Sequence, residues 1–151
     1  MKPAIVTALL LAAALPTQAA PSAEDQIRFR KAAYSFISWN MGRIKEQVAD
    51  GASYDPQQVQ AAANAIAGVA GSGLGALFGP GTEQSVGAQK TRARPELFSN
   101  LPDVARLGQD FNKAAALLAE EAASGDKARV KAAFGQLGRS CKGCHDKYRG
   151  D

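Results

Sequence analysis

Apolar residues recur at helical spacing in four successive segments of this chain. In the first segment they lie seven, three, four, three and four residues apart, at Ile27, Tyr34, Ile37, Met41, Ile44 and Val48. In the last segment they lie four, three, four, three and four residues apart, at Val130, Phe134, Leu137, Cys141, Cys144 and Tyr148. This spacing places the apolar side chains on one face of an α-helix. Each segment therefore predicts a helix that needs partners to cover its apolar face.

Capping and helix-breaking residues separate the four predicted helices. Their expected positions, in chain order, are residues 23–49, from Asp55-Pro56 to near Gly71, from Pro102, and from Asp126 onward. Of the 15 glycines, six fall within residues 71–100, which marks that stretch as a long connection. Aromatic residues make up only 7% of the chain, and β-branched runs are scarce, which excludes an all-β domain. The predicted fold is all-α, an antiparallel four-helix bundle with one long connection between helices 2 and 3.

The first residues predict a secretory signal peptide, residues 1–19, rather than part of the fold. Lys2 precedes an uncharged apolar run over residues 4–15, which at about a dozen residues is too short to span a bilayer. We expect cleavage after Ala19, which leaves residues 20–151 as a single domain in the periplasm. A membrane-retained anchor is the alternative interpretation of this segment. No other segment of the sequence approaches the length of a membrane span.

The charge of the chain is mildly basic. The formal net charge is +4, and removal of Lys2 with the signal peptide lowers it by one. A nucleic-acid partner requires basic residues clustered on one face, so we expect no such partner. Lys90, Arg92 and Arg94 form a small basic run in the long connection, interpreted as a solvated loop. A docking patch for an acidic redox partner is the other interpretation of this run.

Cys141, Cys144 and His145 form the sequence C-x-x-C-H, the attachment signature of c-type haem. Positions three apart share one face of a helix, so both thiols can add to the two vinyl groups of the porphyrin. The imidazole that follows then binds the iron. A redox disulfide requires a βαβ context, and zinc requires ligands beyond the 2 Cys and 1 His of this chain. The prediction is one covalently attached haem c per chain, with His145 as the metal ligand.

The sixth coordination position of the iron depends on which residue of the first helix faces it. After removal of the signal peptide, Met41 is the only methionine of the chain. It lies seven residues beyond Tyr34, which is roughly 10 Å along a helix axis. Both side chains cannot lie over the same iron. If the iron lies at the level of Arg30 and Tyr34, Met41 belongs to the core.

The haem motif near the C-terminus of a helical bundle resembles that of cytochrome c′, a class II c-type cytochrome. Several segments carry this resemblance, which extends over essentially the whole chain after the signal peptide: 30–34 (RKAAY), 39–43 (WNMGR), 78–83 (FGPGTE), 93–98 (ARPELF), 132–135 (AAFG) and 146–149 (DKYR). The C-x-x-C-H sequence is shared by all c-type cytochromes. Its position near the C-terminus of a bundle narrows the resemblance to this family.

The resemblance implies a five-coordinate, mostly high-spin haem with His145 as the proximal ligand. Tyr34 would close the distal face, where low-spin relatives place a ligating methionine. Arg30 would bind a haem propionate, with a path to solvent at the helix end as the alternative. Arg149 would flank the proximal pocket, with a frayed basic terminus as the alternative.

The function that the resemblance implies is binding of nitric oxide and carbon monoxide, together with electron transfer. A six-coordinate, low-spin electron-transfer cytochrome is the alternative. We expect no enzyme, because no nucleophile–base pair is visible beyond the haem motif. The family also implies a homodimer formed through the first two helices, with Trp39 between the subunits. The redox partner protein is not identified by the sequence.

Overall fold

The computed structural model describes residues 20–150, which are almost entirely helical. Its elements are α1 (Ala23–Val48), α2 (Pro56–Ala70), a 3-10 helix (Leu74–Leu77), α3 (Pro95–Ser99), α4 (Leu101–Ala123) and α5 (Lys127–Tyr148). The four long helices pack in the order α1, α2, α4 and α5, and α5 returns to α1 as the most loosely packed of these pairs. The predicted four-helix bundle with one long connection is confirmed. The predicted signal peptide lies outside the described residues.

The residues that were expected to cap the helices do so. The Ser22 hydroxyl accepts a hydrogen bond from the Asp25 amide at 3.1 Å at the start of α1. The Asp55 carboxylate caps α2, and the Asp126 carboxylate accepts from the amide of Ala128 at 2.8 Å at the start of α5. These side chains satisfy backbone donors that have no partner within the helix.

The long connection is more ordered than the sequence predicted. It contains the unpredicted helix α3, which is five residues long and therefore too short to show a helical period. Just before this helix, Arg94 donates its amide proton to the carbonyl of Tyr148 at 2.9 Å, and Gly150 donates to the carbonyl of Arg92 at 2.8 Å. These two bonds fasten the connection to the end of α5.

The hydrophobic core is continuous and is formed mainly by the four long helices. Its fully buried side chains come from all four long helices and include Ile44, Val59, Ile66, Leu118, Val130 and Leu137. Within residues 20–150, no helix has both the length and the apolar character that crossing a membrane requires.

Candidate haem site

The apolar seam of α1 opens at Tyr34. This residue continues the spacing of the seam, yet its side chain is 39% exposed, whereas Ile37 one turn further on is 4% exposed. Its ring lies against that of Phe111 on α4, with centroids 6.5 Å apart and planes tilted by 53°. The other helices therefore leave the seam partly uncovered at Tyr34.

The two cysteines of α5 lie near Tyr34. The pKa of Tyr34 is raised to about 12, first by burial and then by the nearby thiol groups of Cys144 and Cys141. In the absence of a metal ion, the phenol therefore keeps its proton throughout the neutral pH range.

The C-x-x-C-H residues project from the last turns of α5. Cys141 and Cys144 are half-buried and free of any disulfide, and burial raises the pKa of both thiols. His145 is exposed, and its pKa is lowered first by burial and then by the positive charges of Arg149 and Arg92. A neutral imidazole next to two thiols on one helical face suits an iron porphyrin.

Arg30 is buried and bound by the long connection. It is 4% exposed, so the alternative in which it reaches solvent is wrong. Its Nη1 donates to the carbonyl of Leu77 at 3.1 Å and to Oγ1 of Thr82 at 2.8 Å. Its Nη2 donates to the carbonyl of Thr82 at 2.8 Å and to Oγ1 of Thr91 at 2.6 Å. The guanidinium also stacks on Phe78, with its central carbon 4.7 Å from the ring centroid.

These contacts change the argument for a propionate contact at Arg30. The sequence predicted an anionic partner for a buried arginine. In the structure, neutral oxygens of the long connection already accept hydrogen bonds from Nη1 and Nη2 of Arg30. A guanidinium has five N–H groups, and four of them are used in these bonds. Only the Nε–H has no acceptor among the described residues. A propionate contact at Arg30 stays a prediction, and it is limited to that single donor unless a connection bond breaks.

Arg149 lies beside the His145 ring. Its Nη1 is 3.3 Å from Nδ1 of His145, and its backbone pairs with Ala93, so that it is not a frayed terminus. Because a guanidinium only donates, Nδ1 is the acceptor in this contact. Whether Arg149 serves the haem stays a prediction.

Two further arginines, Arg92 and Arg94, lie beside His145. Nothing in the sequence connected them with the haem motif. The pairing of residues 92–94 with the end of α5 brings Arg92 and Arg94 to His145 and Arg149, around a groove of ≈ 400 Å³. Their alternate spacing in the sequence was a signal of extended backbone. The pairing partner, more than fifty residues away, had no local signal.

Met41 packs against the core. Within residues 20–150, no group of three or more His, Cys, Asp and Glu side chains is arranged to hold a metal ion. Two free thiols on one helical face, an adjacent imidazole and a seam left partly uncovered beside Tyr34 and Phe111 fit a porphyrin. These features define a c-type haem protein on a four-helix bundle.

Comparison with known proteins identifies the family. The family model for cytochrome c′ matches residues 25–149, and this chain belongs to that family, whose haem c is covalently attached. The cytochrome c′ of Allochromatium vinosum is 52% identical over 128 residues, which cover 85% of this chain and 82% of that protein. The crystal structure of cytochrome c′ from Thermochromatium tepidum is similar with a TM-score of 0.85 and 53% identity, covering 88% of this chain and all of that one.

Other solved structures describe ligand binding and assembly in relatives. One is a cytochrome c′ with an unusual ligand-controlled dimer dissociation, similar with a TM-score of 0.84 and 50% identity over 88% of this chain and 100% of that chain. Variants of cytochrome c′ from Alcaligenes xylosoxidans, 33% identical with a TM-score of 0.75, are described as nitric oxide and carbon monoxide complexes.

Proposed function

We propose that this protein is a periplasmic haem protein whose five-coordinate, high-spin iron binds nitric oxide and carbon monoxide. The observation that carries the proposal is Tyr34, which is 39% exposed at the uncovered part of the seam, at the position where a low-spin relative has a ligating methionine. Met41 packs against the core instead. The predicted signal peptide, residues 1–19, supports the location.

Each residue of the haem motif has its own role in this proposal. Cys141 and Cys144 form the two thioether bonds, and Nε2 of His145 binds the iron on the proximal side. The haem, when bound, supplies an iron whose open position takes a diatomic gas. Tyr34 and Phe111 enclose that position and keep bulk water and larger ligands away.

Discrimination among gases follows from the side chains near the open position. Bound oxygen carries negative charge and gains most from a strong hydrogen-bond donor such as a distal histidine. The chain has 1 His, which the proximal role occupies, and nitric oxide and carbon monoxide depend less on such a donor. The Tyr34 phenol is a donor that α1 brings to this side, so its hydroxyl affects how far oxygen is disfavoured.

A homodimer through α1 forms part of the proposal. Trp39 is 58% exposed, its ring lies 5.6 Å from that of Phe36, and Arg43 stacks on it at 5.0 Å. Exposed aromatic rings with a neighbouring arginine are typical of protein interfaces. A relative is described as a dimer with ligand-controlled dissociation, which supports a dimer here.

Electron transfer is the second capacity in this proposal, and a six-coordinate, low-spin carrier is the alternative function. We propose no enzymatic activity. The two candidate functions differ in the ligand at the sixth position, which can be tested directly.

The test is the absorption and resonance Raman spectra of the ferrous protein with and without each gas. We expect a high-spin ferrous spectrum that shifts with both gases in the wild type and in Met41→Leu. Tyr34→Met should become low-spin, because it places a thioether at the opening of the seam. A low-spin wild-type spectrum that neither gas changes would overturn the proposal. A low-spin wild type that becomes high-spin in Met41→Leu would assign Met41 as the ligand instead.

A further inference from the structure

An unusual concentration of unpaired positive charge lies beside His145. Arg92, Arg94 and Arg149 line one groove with His145, Asp146 and Gly150; we call it the arginine groove. The ion pairs among the described residues include none of these three arginines. Three other arginines do pair with carboxylates: Arg28 with Asp25, Arg106 with Asp103 and Arg129 with Glu121.

Among residues 20–150, the one carboxylate in the arginine groove, that of Asp146, does not neutralise it. Asp146 is held by Lys142 at 2.6 Å, one turn earlier on the same helix, so its charge is already balanced. Three guanidinium groups therefore share one concave surface and repel one another. Such an arrangement costs stability unless an anion completes it.

The backbone holds these charges in place. The amide of Arg94 bonds to Tyr148, and the carbonyl of Arg92 accepts from Gly150. Both arginines thus stand on a paired segment rather than on a free loop, and ordering them for a partner costs little. When Nε2 of His145 binds iron, the ring proton lies on Nδ1, which then no longer accepts from Arg149. That N–H of Arg149 is then available to another acceptor.

We propose that the arginine groove is the docking surface for the acidic face of a redox partner protein. Carboxylates of the partner would pair with the three guanidinium groups, which match carboxylate geometry better than ammonium groups do. The proposal rests on the proposed haem function. Docking there brings the partner's redox centre to the exposed ligand of the iron. One electron passes from the reduced partner to the ferric iron, so the partner is oxidised by one electron and the iron becomes ferrous.

The test uses charged oxidants of the ferrous holoprotein in stopped-flow experiments at low ionic strength. Ferricyanide serves as the anionic probe and tris(phenanthroline)cobalt(III) as the cationic probe. The groove variant is Arg92→Gln with Arg94→Gln. The matched control is Lys45→Gln with Lys113→Gln, which removes the same charge from two exposed, unpaired lysines of α1 and α4.

We expect the groove variant to slow oxidation by ferricyanide by about tenfold, the scale of electrostatic steering. Its reaction with the cobalt complex should become faster, and both changes should vanish near 1 M salt, where charges are screened within about 3 Å. The control should change both rates much less. Equal effects in the two variants would mean that net charge acts rather than the groove, and would overturn the proposal.

Two further outcomes separate this proposal from the proposed function. The haem spectrum and gas binding are measured on the same samples. If the groove variant shifts the haem spectrum and leaves the charge selectivity unchanged, the arginines serve a haem propionate and the docking proposal is wrong. If gas binding fails in every sample while the charge selectivity follows the groove, the docking proposal stands and the gas-binding function is wrong.

Discussion

The two halves of the α1 seam differ although they share one helix and one spacing. Toward its C-terminal end, Ile44 and Val48 are buried in a core that the other helices complete. Toward its N-terminal end Ile27 is also buried, but Tyr34, between Ile27 and Ile37, is 39% exposed. The N-terminal half, which we call the open half, is thus left partly uncovered by protein atoms at Tyr34. We propose that the covalently attached haem c of this family covers the seam there, so that a cofactor contributes to the stability of the open half.

A core truncation should act on the closed half alone. We expect Leu118→Ala, at a side chain that is 0% exposed, to lower the free energy of unfolding by about 2–5 kcal/mol, the usual cost of such a cavity. The measurement is urea denaturation of the holoprotein followed by circular dichroism. The haem spectrum should stay unchanged, because Leu118 lies two turns from Phe111 on α4, roughly 10 Å along the helix axis.

The matched variant in the open half is Phe111→Leu. It should cost less stability than Leu118→Ala but change the rate of carbon monoxide binding, because Phe111 lies against Tyr34. If Leu118→Ala altered the gas kinetics as much as Phe111→Leu, the two halves would not be separable.

Local patterns were sufficient to predict most of the fold. Helix positions, caps and the C-x-x-C-H face all depend on residues within a few positions of one another. Helix α3 was missed because five residues cannot display a period. The exposure of Tyr34 was also beyond periodicity, since spacing reports the face of a helix and not whether its partners fill the space opposite.

The surroundings of Arg30 and of His145 could not be predicted, because they depend on distant pairing. Arg30 bonds to residues 47 to 61 positions away, and no short-range signal encodes such a contact. The sequence identified Arg30 as anomalous on an apolar stripe. It did not identify the oxygens of the long connection as its acceptors. The basic run at residues 90–94 was likewise assigned to a loop, because no local pattern indicates that it pairs with the end of α5.

Arg30 joins the open half to the long connection, and its loss should loosen that half selectively. Arg30→Met leaves the buried carbonyls of Leu77 and Thr82 without their donor. We expect the free energy of unfolding to fall by about 1.5–3 kcal/mol, the scale of hydrogen bonds to a charged group. Amide hydrogen exchange should accelerate within residues 77–91 and change little within α2.

Two controls sharpen this prediction. Arg28→Met removes an exposed arginine that pairs with Asp25 on the surface, and exposed pairs contribute about 0–1 kcal/mol. Arg30→Lys keeps the charge but not the planar fork that reaches four acceptors, so it should restore only part of the protection. Equal loss in Arg28→Met and Arg30→Met would show that the connection does not depend on this clamp.

The smallest expected effect concerns acid stability where α4 meets the end of α5. Hydrogen bonds from Arg106, Tyr148 and Lys147 hold the pKa of Asp103 well below its ordinary value. A carboxyl whose pKa is lower in the folded state stabilises the fold fully above its unfolded pKa, which is about 3.9. That contribution is lost as the pH falls from this value through the lower folded pKa. We expect the urea midpoint of the wild type to fall more steeply below about pH 4 than that of Asp103→Asn.

Asp110→Asn is the control for this acid effect, because Asp110 also bonds to Arg106, at 2.9 Å, but does not contact α5. Its acid profile should follow that of the wild type, since the Asp103 contacts with Tyr148 and Lys147 remain. The difference matters for the comparison of the two halves. Asp103 ties α4 to the turn of α5 that carries the haem motif, whereas Asp110 ties α4 only to itself. Parallel acid profiles for wild type and Asp103→Asn would mean that this end of the open half is held by the backbone pairing of residues 92–94 alone.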